Sequence, residues 1–308
     1  MDNNTLVDLV DDYLEHVRAY GRSSATVSQY RFALLAFLRF CEQEGVSSPD
    51  QLTTKLVDRY SASLREQPGA KGRSLSEVSV NTYLRSLNLL LGWLAEQGEA
   101  KQLRAKTQKP DAKPLDVLSQ SEIQAMIRTA DTLRDRLIVR VLAETGCRLG
   151  ELIGLRVGDL VSHEGDHFLY LRGKTGERSV AIRGELYRQL TTYIAGSRPA
   201  RPADDQPVFM AQRRRDGKHQ PLTESGVQQM IRNLARDAGI KRRVHPHLLR
   251  HTYGTEFIAQ GGDSVMLAKI LGHRSLSMIN TVYAHPRQSH IAQAMLDHLR
   301  RVESSKVH

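Results

Sequence analysis

The sequence predicts a mainly α-helical protein of two domains, the second carrying a small β-hairpin. Three observations predict it. Apolar residues recur at helical spacing along most of the 308 residues, in segments that start at Ser or Thr and stop at Gly. That pattern breaks once, in a basic stretch at 101–114. One further segment, "HFLYLRGKTGERSVAI" (167–182), alternates with period two around a turn at "GKTGE".

The first hundred residues read as four helices. "LVDLVDDYLEHVRAYG" closes at Gly21 after Arg18, and "SSATVSQYRFALLAFLRFCEQEG" runs from a Ser/Thr cap to Gly45. A third helix is expected from about Thr54 to Gln67, followed by a loop at "PGAKGRS". The fourth, "SEVSVNTYLRSLNLLLGWLAEQG", ends at Gly98. The second and fourth share a plan of Ser/Thr start, early Tyr and Gly stop, which suggests two stacked helical hairpins.

Residues 101–114, "KQLRAKTQKPDAKP", hold five Lys/Arg, one Asp and two Pro, and read as the core of an extended basic linker over 101–116. The second domain, 117–308, opens with a helix capped by Ser119 or Ser121. A helix precedes Gly146 and another follows it, and the hairpin comes next. Helices are expected near 184–196, 223–238 and 247–261, then over "SVMLAKILG" and from Ser275 to Tyr283. A last one covers "QSHIAQAMLDHLRRV", whose apolar stripe leaves open packing on its own domain or on a neighbour.

Composition narrows the chemistry. No run of about 18 apolar residues exists to span a membrane. The start, "MDNNTLVDLVDDY", is acidic and lacks the apolar region of a secretory signal. Cys41 and Cys147 have no CxxC neighbour, so neither a thiolate zinc site nor a disulfide framework is expected, and a cytoplasmic location fits. The formal net charge is +10, and its cations are 33 Arg against 11 Lys. A polyanion, most often nucleic acid, is the partner such a balance favours, and the planar Arg fork matches phosphate oxygens.

Two local patterns suggest cofactors and fail on inspection. His247 and His251, in "HPHLLRHTYGT" (245–255), have the H-x₃-H spacing of a helical metal pair. The residues between them are Leu-Leu-Arg, which offer no Glu as general base and set a cation beside the metal, so no metal is expected. "GKT" at 173–175 resembles the end of a P-loop, but Phe168 stands where the first Gly is required. Lys174 is therefore a hairpin-tip lysine, either solvated or reaching into a groove. The His247–Arg250 spacing is unspecific alone; His298–Arg301 repeats it and is assigned no role.

Specificity comes from an ordered set. "TGCRLGEL" supplies Arg148 and Glu151, "RGKTGERSVAI" Lys174, "HPHLLRHTYGT" His247 and Arg250, "LGHRS" His273, and "INTVYAH" Tyr283. This order and spacing resemble the tyrosine recombinase (phage integrase) family, in particular its two-domain Xer-like and Cre-like members. The resemblance implies a helical, SAM-like core DNA-binding domain over 1–100. It also implies a mixed α/β catalytic domain over 117–308 with a small hairpin or sheet.

The implied activity is site-specific DNA recombination through a 3′-phosphotyrosine, with Tyr283 as nucleophile. Arg148 and Arg250 would clamp the phosphate, and Lys174 would protonate the departing 5′ oxygen. His247 would accept the tyrosine proton or orient the phosphate, His273 would hydrogen-bond it, and Glu151 would hold Arg148. Each has an ordinary structural alternative: a surface ion pair for either Arg or Glu151, a helix cap for His273, a half-buried aromatic for Tyr283. Tyr253 is the nearest competing tyrosine, at a position where the family commonly carries a packing aromatic. His251 is read as packing or capping, and His245, before Pro246, as extended.

No metal or cofactor is implied. The implied partners are a double-stranded recombination site and a homo-tetramer on DNA, with a second recombinase or accessory protein left open. Cys147 departs from the Leu of many members, the turn after Lys174 is about one residue short, and no arm-binding domain is expected ahead of Met1. A type IB DNA-relaxing topoisomerase and a non-catalytic DNA-binding regulator are the alternatives. The target sequence, and the choice among phage, plasmid, transposon and chromosome-dimer systems, are not legible.

Overall fold

The computed structural model describes residues 5–66, 74–109, 116–173, 176–197, 202–215 and 218–272, without the side chains of 212–219. Contacts divide the chain into two compact units, Met1–Lys113 and Pro114–His308. The helices expected at 275–283 and 288–302 lie outside the described residues.

The first unit holds α1 (Leu6–Ala19), α2 (Ser24–Gln43), α3 (Thr54–Glu66) and α4 (Glu77–Glu96). Thr5, Ser23 and Ser76 cap α1, α2 and α4 by accepting a backbone N–H three residues on. The inward stripes meet in one core in which Leu34, Phe37, Leu84 and Leu91 are fully buried. Tyr60 sits against Phe37 with ring centroids 5.1 Å apart.

Residues 101–109 form no helix or strand, yet they are fastened to α4. Asn88 and Asn81 lie two turns apart on that helix, and each amide pairs with a backbone N–H and C=O as a strand neighbour does. Asn88 Nδ2 donates to Ala105 O (2.9 Å) and Ala105 N–H returns to Asn88 Oδ1 (2.7 Å). Asn81 repeats this with Gln108 at 2.6 and 3.2 Å. Ala105 is buried in the unit's core.

The second unit is built around α6 (Leu133–Thr145), which is apolar on several faces because neighbours cover it. Leu137, Ile138, Val139, Val141 and Leu142 are all fully buried. Around it lie α5 (Gln120–Thr129), capped by Ser119, and α8 (Gly184–Gly196). Helix α7 (Leu149–Ile153) follows α6 after a left-handed stop at Gly146, φ 61°.

The expected hairpin is present and gains a strand. β1 (Leu160–His163), β2 (Asp166–Gly173) and β3 (Gly176–Ile182) form an antiparallel sheet in that order. Its last pair is Gly173 opposite Gly176. A second hairpin, β4 (Met210–Arg215) and β5 (Lys218–Pro221), is an addition to the sequence reading. Its strands are strongly polar and carry no apolar alternation to betray them. Helices α9 (Glu224–Asp237), α10 (Pro246–Ala259) and α11 (Ser264–Leu271) complete the described unit. Helix α10 begins one residue earlier than the spacing suggested, with Pro246 in its first turn, where a missing N–H costs nothing.

Candidate active site

Gly146 ends α6 and turns the chain sharply, so Cys147 is buried and Arg148 stands at the head of α7. The Arg148 backbone is extended (φ −73°, ψ 153°), and its N–H donates to Glu151 Oε2 at 2.7 Å. Its Nη1 reaches Glu151 Oε1 at 3.0 Å, and its Nη2 reaches the Gly272 carbonyl at 2.9 Å. The surface ion pair that local sequence allowed for Glu151 is thus replaced by a buried one, with the carboxylate side chain 1% exposed.

Arg250 lies on α10, 1% exposed. Its Nη1 donates to Gly146 O at 2.7 Å and its Nη2 to Leu271 O at 2.6 Å. Arg148 and Arg250, from different helices, therefore converge on two successive carbonyls at the end of α11. Helix α11 stops there on Gly272 in the left-handed region, φ 63°. His273 is the next residue in the sequence and lies outside the described residues, as do Tyr283 and Lys174. Lys174 and Thr175 are the two residues between the paired Gly173 and Gly176.

His245 caps α10: its Nδ1 accepts the Leu248 N–H at 3.1 Å. Two residues on, His247 meets His251, one turn further along α10, edge to face with ring centroids 4.4 Å apart. Burial first, and then the nearby positive charges of Arg250, His245 and Arg148, hold the His247 ring below the usual histidine range. Among the described residues no group of three His, Cys, Asp or Glu side chains is arranged to hold a metal ion. Tyr253 packs against Phe257 beside the apolar cluster of Leu267 and Leu271, in keeping with a packing role.

Arg148, Glu151, His245, His247 and Arg250 line an open cleft of about 980 Å³. Among the described residues, Arg148, Arg172, Arg232, Arg243 and Arg250 face it against Glu151 and Glu224, with His245 and His247 beside them. Such a wall attracts a polyanion. Gly173 lies against the same carboxylate: a Cβ there would fall 2.8 Å from Glu151 Oε1.

Sequence reasoning missed Arg178. Its Nη1 and Nη2 donate to the two oxygens of Glu151, each at 2.7 Å, and its Nε donates to Ile270 O at 2.5 Å. Burial alone would raise the Glu151 carboxyl, but the bonds from Arg178 and Arg148 outweigh it and bring the group down to about 2. A usable signal existed in the alternation. Arg178 is two residues before buried Val180 and opposite buried Leu171, so it shares their inward face.

Residues 116–290 match the phage integrase family, and residues 10–75 match the phage integrase N-terminal SAM-like domain. The chain belongs to the phage integrase family. It is 30% identical over 292 residues to tyrosine recombinase XerA of Pyrococcus furiosus, covering 94% of this chain and 93% of XerA. Its fold is that of solved family members. The post-cleavage complex of the XerH site-specific recombinase with a palindromic difH substrate matches with TM-score 0.71 at 17% identity, covering 92% of this chain and 83% of that one. A lambda integrase tetramer bound to a Holliday junction matches with TM-score 0.70 at 18% identity, covering 89% and 79%. Among the described residues of this integrase-family chain, no helix is long and apolar enough to cross a membrane.

Proposed function

We propose that this chain is a site-specific DNA recombinase that cuts and rejoins duplex DNA through a 3′-phosphotyrosine at Tyr283. One observation carries the reading: Arg148 and Arg250, 102 positions apart in sequence, are brought to adjacent carbonyls in one cationic cleft beside His247. Two guanidiniums placed together suit the two non-bridging oxygens of a phosphodiester as its negative charge grows.

The step balances with side chains alone. The Tyr283 oxygen attacks phosphorus, and the bond from phosphorus to the 5′ oxygen breaks. His247, kept neutral by its surroundings, takes the phenolic proton. Lys174 gives a proton to the departing 5′ oxygen. His273 and the two arginines hold the phosphoryl oxygens, and Glu151 holds Arg148. A free 5′ hydroxyl then reverses the step on the same or another strand. Strand exchange between two duplexes needs four active sites, so the working assembly is a homo-tetramer on DNA. Its C-terminal helix after Tyr283 docks on a neighbouring subunit, and the N-terminal unit and the basic stretch at 101–116 contact the duplex. XerA similarity along nearly the whole chain favours this reading over a relaxing topoisomerase or a non-catalytic regulator.

Wild-type protein should become covalently attached to DNA without added magnesium, and sequencing the attached DNA identifies the site. Tyr283→Phe should abolish that adduct in a denaturing gel; an adduct that persists removes Tyr283 as nucleophile. Lys174→Ala should slow cleavage by about 10²–10⁴-fold, with recovery on a substrate whose 5′ leaving atom is sulfur. Absence of recovery removes Lys174 as the acid.

A further inference from the structure

Arg178 has no part in the chemistry proposed above, yet its whole guanidinium is committed beneath the cleft. It grips both oxygens of Glu151 and the carbonyl of Ile270. The same carboxylate accepts the backbone N–H and Nη1 of Arg148. Glu151 is therefore a buried anion between two cations, its side chain 1% exposed, Arg178 11% and Arg148 34%.

The arrangement of charge is what matters. A buried carboxylate facing Arg148 alone would form a self-neutral pair, and the stronger their mutual hold, the less of the Arg148 charge would reach a phosphate. Arg178 lies on the inner side and engages the carboxylate with the bidentate geometry. The three groups together carry one net positive charge, and the more exposed Arg148 presents it to the cleft.

We infer that Arg178 is a positioning residue that neutralises Glu151 and so leaves the charge of Arg148 to the scissile phosphate. The inference rests on Arg148 acting as a phosphate clamp. Arg178 itself touches no reacting atom. It acts through Glu151, the carboxylate that Arg148 also holds.

Three full-length variants test this: Arg178→Gln, Glu151→Gln and the double variant. The readout is single-turnover formation of the covalent adduct on a nicked duplex carrying the site recovered from wild-type adducts. Arg178→Gln should slow adduct formation by about 10–100-fold. Its affinity for uncut duplex should change by less than about threefold, since the charge of Arg148 counts most as negative charge grows on the reacting phosphate. With Glu151 already neutral, losing Arg178 has little left to unbalance, so the double variant should react within about threefold of Glu151→Gln alone. A merely structural role predicts the opposite, a further loss on top of Glu151→Gln. A double variant at least about tenfold slower than Glu151→Gln overturns the inference. This comparison stands even if Arg178→Gln alone does not fold. Wild-type protein that forms no adduct overturns the recombinase reading itself, which separates the two failures.

Discussion

Gly146 couples the fold to the cleft, and Gly146→Ala measures how tightly. The residue sits at φ 61°, where alanine costs about 1–2 kcal/mol because its Cβ crowds the following carbonyl. The new methyl would also lie 2.7 Å from Tyr253 Cδ1 and 2.8 Å from Leu271 Cδ2. Leu271 is fully buried, and its own carbonyl is held by Arg250, so it has no room to retreat. Forcing a methyl into such packing costs about 1–3 kcal/mol more. The sum, about 2–5 kcal/mol, corresponds to a fall of about 5–15 °C in the melting temperature of a unit this size. Gly165→Ala is the control: its φ is 88°, but nothing lies within 4 Å of the added atom, so it should pay the backbone cost alone. Differential scanning calorimetry of both variants gives the comparison. Equal losses would mean that the packing around Gly146 yields freely and that the close approach to Tyr253 and Leu271 has no energetic weight. Because Gly146 O accepts from Arg250, adduct formation should slow in Gly146→Ala but not in Gly165→Ala.

Other consequences are measurable. The Glu151 carboxyl falls from an unfolded value of 4.5 to about 2 on folding, so its contribution is complete above pH 4.5 and is lost as pH falls towards 2. Unfolding free energies of wild type and Glu151→Gln from urea titrations should therefore differ most at neutral pH, the gap narrowing by on the order of 3 kcal/mol in acid; a gap independent of pH refutes the buried ion cluster. In the DNA-free protein the His247 ring should titrate below 6.5 by NMR, because burial and neighbouring cations disfavour its charged form. A midpoint at or above 6.5 contradicts its assignment as a neutral proton acceptor. Burial pushes the Cys147 thiol up to about 11 and the Cys41 thiol up to about 12. Neither should react with a thiol reagent at pH 8 until urea unfolds the chain; prompt reaction in the native state would show that these sites open.

Much of the fold was legible because helical period, Ser caps and Gly stops repeat at short range. Ser23, Ser76 and Ser119 all cap as their spacing suggests. The polar β4–β5 hairpin was not, since register between charged strands carries no apolar signature; the Asp216-Gly217 pair was its one turn cue. Within the site, Arg148, Glu151, His247 and Arg250 were named from motif order, and the structure brings all four to one cleft. What motif order could not supply is how each is held. That Glu151 also serves Arg178, and that Asn81 and Asn88 bind the stretch after α4, depend on partners far off in sequence. Arg178 shows the limit best: alternation gave its face, but only the tertiary fold gave it a carboxylate to hold.

The bare Cα of Gly173 has a wider meaning for anyone re-engineering this cleft. Strand β2 ends by leaning directly on Glu151, the carboxylate shared by Arg148 and Arg178. The end of β2, the head of α7 and the tail of α11 thus stand on a common footing. Altering one wall shifts the others, so any substitution at position 173 or 178 reaches the phosphate clamp through Glu151, and changes of sequence specificity are better sought outside this block.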